Sequence, residues 1–232
     1  MRLQCLPNQG TIRRSAKTRR YATLEAMTTL AWLDSIGVGV FAVSGVLGAA
    51  RKQLDLFGAL SVSFVCALGG GTVRDLLLGL TPVAWIRDPR PAAIALSSAL
   101  AAFVLLRFIS LPVRLMLVLD GLGLGFFSVL GTERALNAGA SLFVAVLLGT
   151  VSGSAGGAIR DILCGDVPLV LRSEIYATAA LLGASCFGLL LRVGVEREFA
   201  LWTGVSLCFV LRMAAIRWNL RLPLAREKRA SS

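Results

Sequence analysis

The sequence predicts an all-α membrane protein with seven transmembrane helices, built as two inverted three-helix repeats followed by one final helix. Three observations carry that prediction. The 232-residue chain is 56% hydrophobic and only 16% charged, with a mean hydropathy of +0.77, whereas an average soluble domain has about 25% charged residues. It contains seven long apolar runs. It also matches itself at an offset of 86 positions without a gap.

The runs lie at 31–50, 56–73, 92–106, 115–132, 142–159, 175–191 and 199–211. Several approach the ~20 residues a helix needs to cross ~30 Å of hydrocarbon. The third and seventh can be completed to 91–109 and 199–218, with flanking arginines reaching out to the interface. None alternates with a period of two, so all read as helices, whose backbone is satisfied within the segment, and not as barrel strands.

The offset aligns Leu33 and Asp34 with Leu119 and Asp120, Gly37 with Gly123, Phe41 with Phe127, and Gly45 with Gly131. It continues through Gly70 and Gly71 with Gly156 and Gly157, Arg74 and Asp75 with Arg160 and Asp161, Gly79 with Gly165, and Pro82 with Pro168. The first repeat then occupies 31–110 and the second 113–192, leaving a seventh helix at 199–218. Three spans is an odd number, so the second repeat enters the membrane from the opposite side. In such inverted repeats, interrupted helices at corresponding positions mark a permeation or binding site near the repeat interface.

The net charge of +11 comes from Lys and Arg in the tails and short loops. That pattern suits a juxtamembrane skin facing anionic lipid, not a nucleic-acid site. Basic tails flank the spans at 1–26 and 219–232, and Met27 is a candidate start. The first 26 residues lack the apolar core of a secretory signal, leaving a transit peptide as the alternative. Basic residues balance on the two sides for the full chain; starting at Met27 shifts the excess to the C-terminal side and places the C-terminus in the cytoplasm. The sequence has no histidine, and its five cysteines show no ligand spacing. Without a histidine base, nucleophile elbow or P-loop, neither an enzyme site nor a metal or cofactor site is expected.

The chemistry-bearing motifs are GGGTVRDLLLG at 69–79 and GGAIRDILCG at 156–165. Consecutive glycines weaken a helix and bare its carbonyls. Gly69, Gly70 and Gly71, and Gly156 and Gly157, are therefore expected to interrupt the second and fifth helices and to contribute to a path. The competing reading is a small-residue face for helix packing. Arg74 and Asp75, and Arg160 and Asp161, follow the breaks, with each aspartate expected in the first turn of the resuming segment. Charges are costly in the bilayer interior, so two symmetric pairs suggest a polar cavity or mutual pairing. Asp34 and Asp120, secondary candidates, are expected at the starts of the first and fourth spans, where the helix dipole favours a carboxylate. Pro82 and Pro168 are expected to end helices, and Ser173 with Glu174 to start one.

These motifs, with the opening LDSIGVGVFAVSGVLGA, resemble the bacterial membrane family whose repeat is called the glycine transporter domain, related to the trimeric intracellular cation channels. The resemblance covers Leu33 to about Trp218. It implies a seven-helix protomer with inverted repeats, glycine-kinked second and fifth helices, a pore through each protomer, and a homotrimer in the cell membrane. The family's glycine motif falls on Gly69, Gly70 and Gly71 and on Gly156 and Gly157, with Ala155 in place of the first glycine of the second repeat. Two expectations about cargo follow. The first is a passive channel for monovalent cations, potassium foremost, with Asp75 and Asp161 as cation ligands. The second is a carrier for glycine or another small zwitterion. A membrane scaffold without a path is the third possibility.

Overall fold

The computed structural model describes residues 31–109, 112–172, 175–218 and 220. The tail at 1–26, Met27, Ser173 with Glu174, and the tail at 219–232 apart from Leu220 lie outside the described residues. Those described form nine helices: α1 (Ala31–Arg51), α2 (Leu56–Leu77), α3 (Ala84–Arg87), α4 (Arg90–Leu105), α5 (Val113–Asn137), α6 (Leu142–Leu163), α7 (Leu169–Arg172), α8 (Ala177–Arg192) and α9 (Arg197–Trp218). Five of them, α1, α2, α5, α6 and α9, are long and apolar enough to cross a membrane, while α4 and α8 are shorter apolar helices of 16 residues each. At 1.5 Å per residue those two reach only about 24 Å.

Burial ranks the helices. The apolar windows of α1 and α5 are 61% and 72% buried, against 39% for α2, α6 and α9, so α1 and α5 form the centre. Around them, one apolar cluster joins Val38, Phe41 and Val46 of α1 to Cys66 and Leu68 of α2, alanines 95, 99 and 102 of α4, and Phe127 of α5. Another joins Leu33, Phe126 and Leu130 to Phe187, Leu201 and Val205 of α8 and α9.

Two expectations are corrected here. First, α2 and α6 run unbroken through the glycine motifs, so the glycines do not interrupt them. The breaks come later, at Gly79 and Gly165, whose φ values are +68° and +69°. Each sits just past a helix end, with Gly79 N–H donating to the Leu76 carbonyl and Leu80 N–H to that of Asp75; Gly165 and Asp166 repeat the pattern on Ile162 and Asp161. This is the left-handed glycine cap that closes the last carbonyls of a helix. Pro82 and Pro168 lie beyond it, leading into α3 and α7 rather than ending α2 and α6. Second, Arg74 and Asp75 lie in the last turn of α2, and Arg160 and Asp161 in that of α6, not in the first turn of a resumed helix.

The unbroken helices have a packing reason. A Cβ on Gly70 would lie 2.0 Å from the Ser152 carbonyl oxygen, and one on Gly156 would lie 2.3 Å from that of Cys66. Residues 70 and 156, like 66 and 152, are 86 apart, so the two contacts are one contact seen twice with partners exchanged. That reciprocity is the signature of a local two-fold axis. The axis passes between Phe41 and Phe127, also 86 apart, whose rings stack at 5.3 Å and 7°. Close backbone approach without side chains is the usual way membrane helices pack.

Candidate functional site

The two Arg–Asp motifs end up at opposite ends of the bundle, since α2 and α6 run in opposite directions about the two-fold. At each end the arginine and its neighbouring aspartate pair. Arg74 Nη2 and Nε donate to Asp75 Oδ1 at 2.7 and 3.0 Å; Arg160 Nη2 and Nε donate to Asp161 Oδ1 at 2.7 and 2.9 Å. The second carboxylate oxygen reaches forward to the short helix that follows: Asp75 Oδ2 accepts from Ala84 N–H at 3.0 Å and Asp161 Oδ2 from Leu169 N–H at 2.8 Å. Each aspartate therefore neutralises an arginine and caps the first turn of α3 or α7, where the amide groups favour negative charge. The capped helix is the one after the cap glycine, not the one carrying the motif.

Beyond that shared core the two ends differ. At the end where α1 finishes, Arg160 Nη1 also donates to Ser44 Oγ at 2.6 Å and to Asp120 Oδ1 at 2.7 Å. Asp120 is not at a helix start: it is the eighth residue of α5, fully buried. The Arg212 guanidinium of α9 lies 4.9 Å from the Tyr176 ring centroid. A Cβ on Gly157 would meet Tyr176 Oη at 2.7 Å and Asp120 Oδ1 at 2.9 Å, so this end is filled down to the backbone.

The other end, where α1 begins, is open. A Cβ on Gly71, the counterpart of Gly157, would find only Arg74 Nη2, at 3.6 Å. Asp34, in the first described turn of α1, pairs with Arg134 at 3.2 Å. Thr72 Oγ1 accepts from the Trp85 indole at 3.1 Å. A small cavity of about 30 Å³ touches Asp34, Gly71, Arg74, Asp75 and Arg134. Two larger ones lie at the same end: one of about 440 Å³ reaches Asp75, Arg87 and Arg134, and one of about 420 Å³ reaches Asp34, Asp88, Arg90 and Arg134. Together these make a vestibule above Arg74 and Asp75, its mainly apolar walls carrying the charged side chains of Asp34, Arg87, Asp88, Arg90 and Arg134. Outside the spans, Lys52 Nζ donates to Asp166 at 2.7 Å and holds that carboxyl below its ordinary range.

The sequence-predicted residues thus separate into three groups. Arg74, Asp75, Gly71 and Asp34 converge at the open end; Arg160, Asp161, Gly157 and Asp120 converge at the closed one; Gly70 and Gly156 sit at the α2–α6 crossing, with Gly69 beside Ile159. Ser44, Ser152, Arg134, Tyr176 and Arg212 were not candidates. Glu133 and Arg134, immediately after a predicted span, were the available signal for Arg134. Arg212 lies just beyond the apolar run 199–211 and inside the seventh helix as completed to 218. The serines lie inside apolar runs without counterparts 86 residues away and left no trace. Among the described residues, no group of three or more Cys, Asp or Glu is placed to hold a metal ion.

Comparison with known proteins gives a consistent result. The family profile described as "Glycine transporter" matches residues 31–107 and 117–192. The UPF0126 inner membrane protein YadS of Escherichia coli K12 is 41% identical over 194 residues, which is 83% of this chain and 94% of that protein. A UPF0126 membrane protein of Vibrio cholerae is 42% identical over 84% of this chain and 83% of its own length. Among solved structures, the trimeric intracellular cation channel orthologue from Rhodobacter sphaeroides superposes with a TM-score of 0.80 at 41% identity, covering 83% of this chain and all of that one. These relatives and neighbours are membrane proteins and channels, not enzymes.

Proposed function

This chain belongs to the glycine transporter family of multi-pass membrane proteins, and on that footing we propose that it is a channel for monovalent cations, potassium foremost, in the bacterial inner membrane. Seven helices cross the bilayer, α4 and α8 at the short limit of span length, as two repeats of opposite orientation plus α9. Three copies assemble, each with its own path. The path runs along the face where α2 and α6 carry their motifs, between the Arg74–Asp75 end and the Arg160–Asp161 end. The reading is carried by one observation: buried arginine–aspartate clusters, related by the local two-fold, stand at the two ends of the bundle, and one of them lies under an open vestibule edged by charged side chains. Buried charges kept at such cost mark ion pathways.

The carboxylates act here as elements of a wall. Both oxygens of Asp75 and of Asp161 are engaged, so they offset the arginines and hold the following turns. Asp34, Asp75 and Asp120 then set the local field that admits a cation. The vestibule also suits a second occupant: Arg74 and Arg134 could hold a carboxylate, and Asp34 an ammonium, of a small zwitterion.

Flux through liposomes containing the purified protein separates these. A potassium current linear in voltage and independent of glycine is the expected result. Saturable glycine uptake without steady current overturns the channel in favour of a carrier, and neither signal leaves a scaffold. Chemical cross-linking in mild detergent should stop at trimers; monomers or dimers alone would contradict the assembly.

A further inference from the structure

We infer that Arg134 is a positioning residue: by holding Asp34 it prevents Arg74 from closing the open end in the way that Arg160 and Asp120 close the other. The inference rests on the permeation reading above and adds to it the residue that makes the path one-sided.

The local two-fold relates Asp34 to Asp120, Arg74 to Arg160 and Gly71 to Gly157. At the closed end the first two of these meet, with side chains 1% and 0% exposed. At the open end the same two residue types do not. Arg74 Nη1 reaches Ser152 Oγ at 3.5 Å, the outer limit of a hydrogen bond, while Asp34 is drawn to Arg134. The 30 Å³ cavity occupies the space where an Asp34–Arg74 pair would stand, and it is lined by both residues.

One position explains the difference. The residue 86 before Arg134 is Gly48. A Cβ on Gly48 would lie 3.2 Å from Arg160 Cδ, so the stem of Arg160 crosses bare backbone on its way to Asp120. At the open end the equivalent backbone carries Arg134 instead. The substitution acts twice: it fills the strip along which Arg74 would lie, and it supplies a competing guanidinium for Asp34. Asp34 lines the same cavity as both guanidiniums, so two positions are open to its carboxylate, the observed one on Arg134 and, once that side chain is gone, one on Arg74. Such a two-position element is what an opening and closing transition needs.

The test uses the full-length protein with Cys5 and Cys186 replaced by serine and Gly71→Cys as reporter beneath the vestibule. The rate of modification by a small cationic methanethiosulfonate is measured alongside potassium flux. With Arg134 present the thiol should react. Arg134→Gly, which recreates Gly48, should slow modification by about tenfold or more, the scale of coupling between residues in one ion-pair network. Arg134→Lys should retain the fast rate, and Arg134→Gly combined with Asp34→Asn should restore it, because no carboxylate remains to close on Arg74. A merely structural role for Arg134 would leave the single and double variants alike, which overturns the inference, as does a thiol that is unreactive with Arg134 in place. If the labelling pattern holds but no variant conducts, the permeation reading fails and the positioning role stands. If flux is normal but labelling rates are equal, the reverse follows.

Discussion

Among the motif glycines, the distances to neighbours decide what each can tolerate. Gly70 and Gly156 face carbonyl oxygens at 2.0 and 2.3 Å from an added Cβ, and backbone cannot move aside as a side chain can. Gly70→Ala and Gly156→Ala should each destabilise the assembled protein by about 1–3 kcal/mol through overpacking. Gly71→Ala, with only Arg74 Nη2 at 3.6 Å, should be near neutral or slightly stabilising, since alanine favours the helix by up to about 1 kcal/mol. Thermal unfolding followed by size exclusion in detergent would rank the three, and equal stability for Gly70→Ala and Gly71→Ala would remove the close-approach argument. The same logic separates the two secondary aspartates. Asp120 is fully buried and holds Arg160, so Asp120→Asn should cost about 3 kcal/mol by leaving that arginine one carboxylate short. Asp34 stands at the vestibule with its side chain 14% exposed, and Asp34→Asn should cost clearly less.

At the level of elements, α2 and α6 are ended by one glycine each and continued by one aspartate each. Gly79 and Gly165 hold φ near +70°, a conformation that disfavours side-chain-bearing residues by about 1–2 kcal/mol, so Gly79→Ala should lower stability by that amount although nothing lies within 4 Å of it. Asp75→Asn should speed hydrogen exchange at Ala84 and also lower global stability by leaving the buried Arg74 without its carboxylate; unchanged exchange at Ala84 would mean the cap is not what orders α3. The loop pair Lys52–Asp166 behaves differently. Its depressed carboxyl pKa contributes stability above the ordinary aspartate range, lost as pH falls through the folded-state value, and partial exposure of both groups keeps the effect small and salt-sensitive. These elements also show what the sequence could reveal. Apolar runs, the 86-residue offset and the paired motifs placed the helices, because lipid demands length and apolarity and duplication copies both. The helix ends inside the motifs were misjudged because consecutive glycines weaken a helix in water; between packed helices in lipid, no water competes for the freed carbonyls, and Gly69, Gly70 and Gly71 instead permit contact. Partners such as Ser44 for Arg160, or Arg134 for Asp34, come from distant segments and carry no periodic mark.

For the whole molecule, the two-fold is a packing device before it is anything else, and its exactness falls with distance from the axis. Near the centre it is kept: Phe41 and Phe127 stack on each other, each over the glycine of the other repeat, with a Cβ on Gly37 meeting Phe127 at 3.1 Å and one on Gly123 meeting Phe41 at 2.5 Å. Toward the ends it is broken, since Arg134 stands where the first repeat has Gly48, and the exposed Arg90 where the second has the buried Tyr176. The molecule keeps its symmetry where helices must cross and diverges at the two ends of the bundle. The energetic consequence can be measured at the centre. Phe41→Ala and Phe127→Ala should destabilise by similar amounts, about 3–5 kcal/mol each, as buried aromatic truncations do. The double variant should fall short of their sum by about 0.5–1.5 kcal/mol, the part that belongs to the stacked pair itself. Strongly unequal single effects would mean that the two repeats carry the core unevenly, and strict additivity would mean that the two rings are held by their own repeats and not by each other.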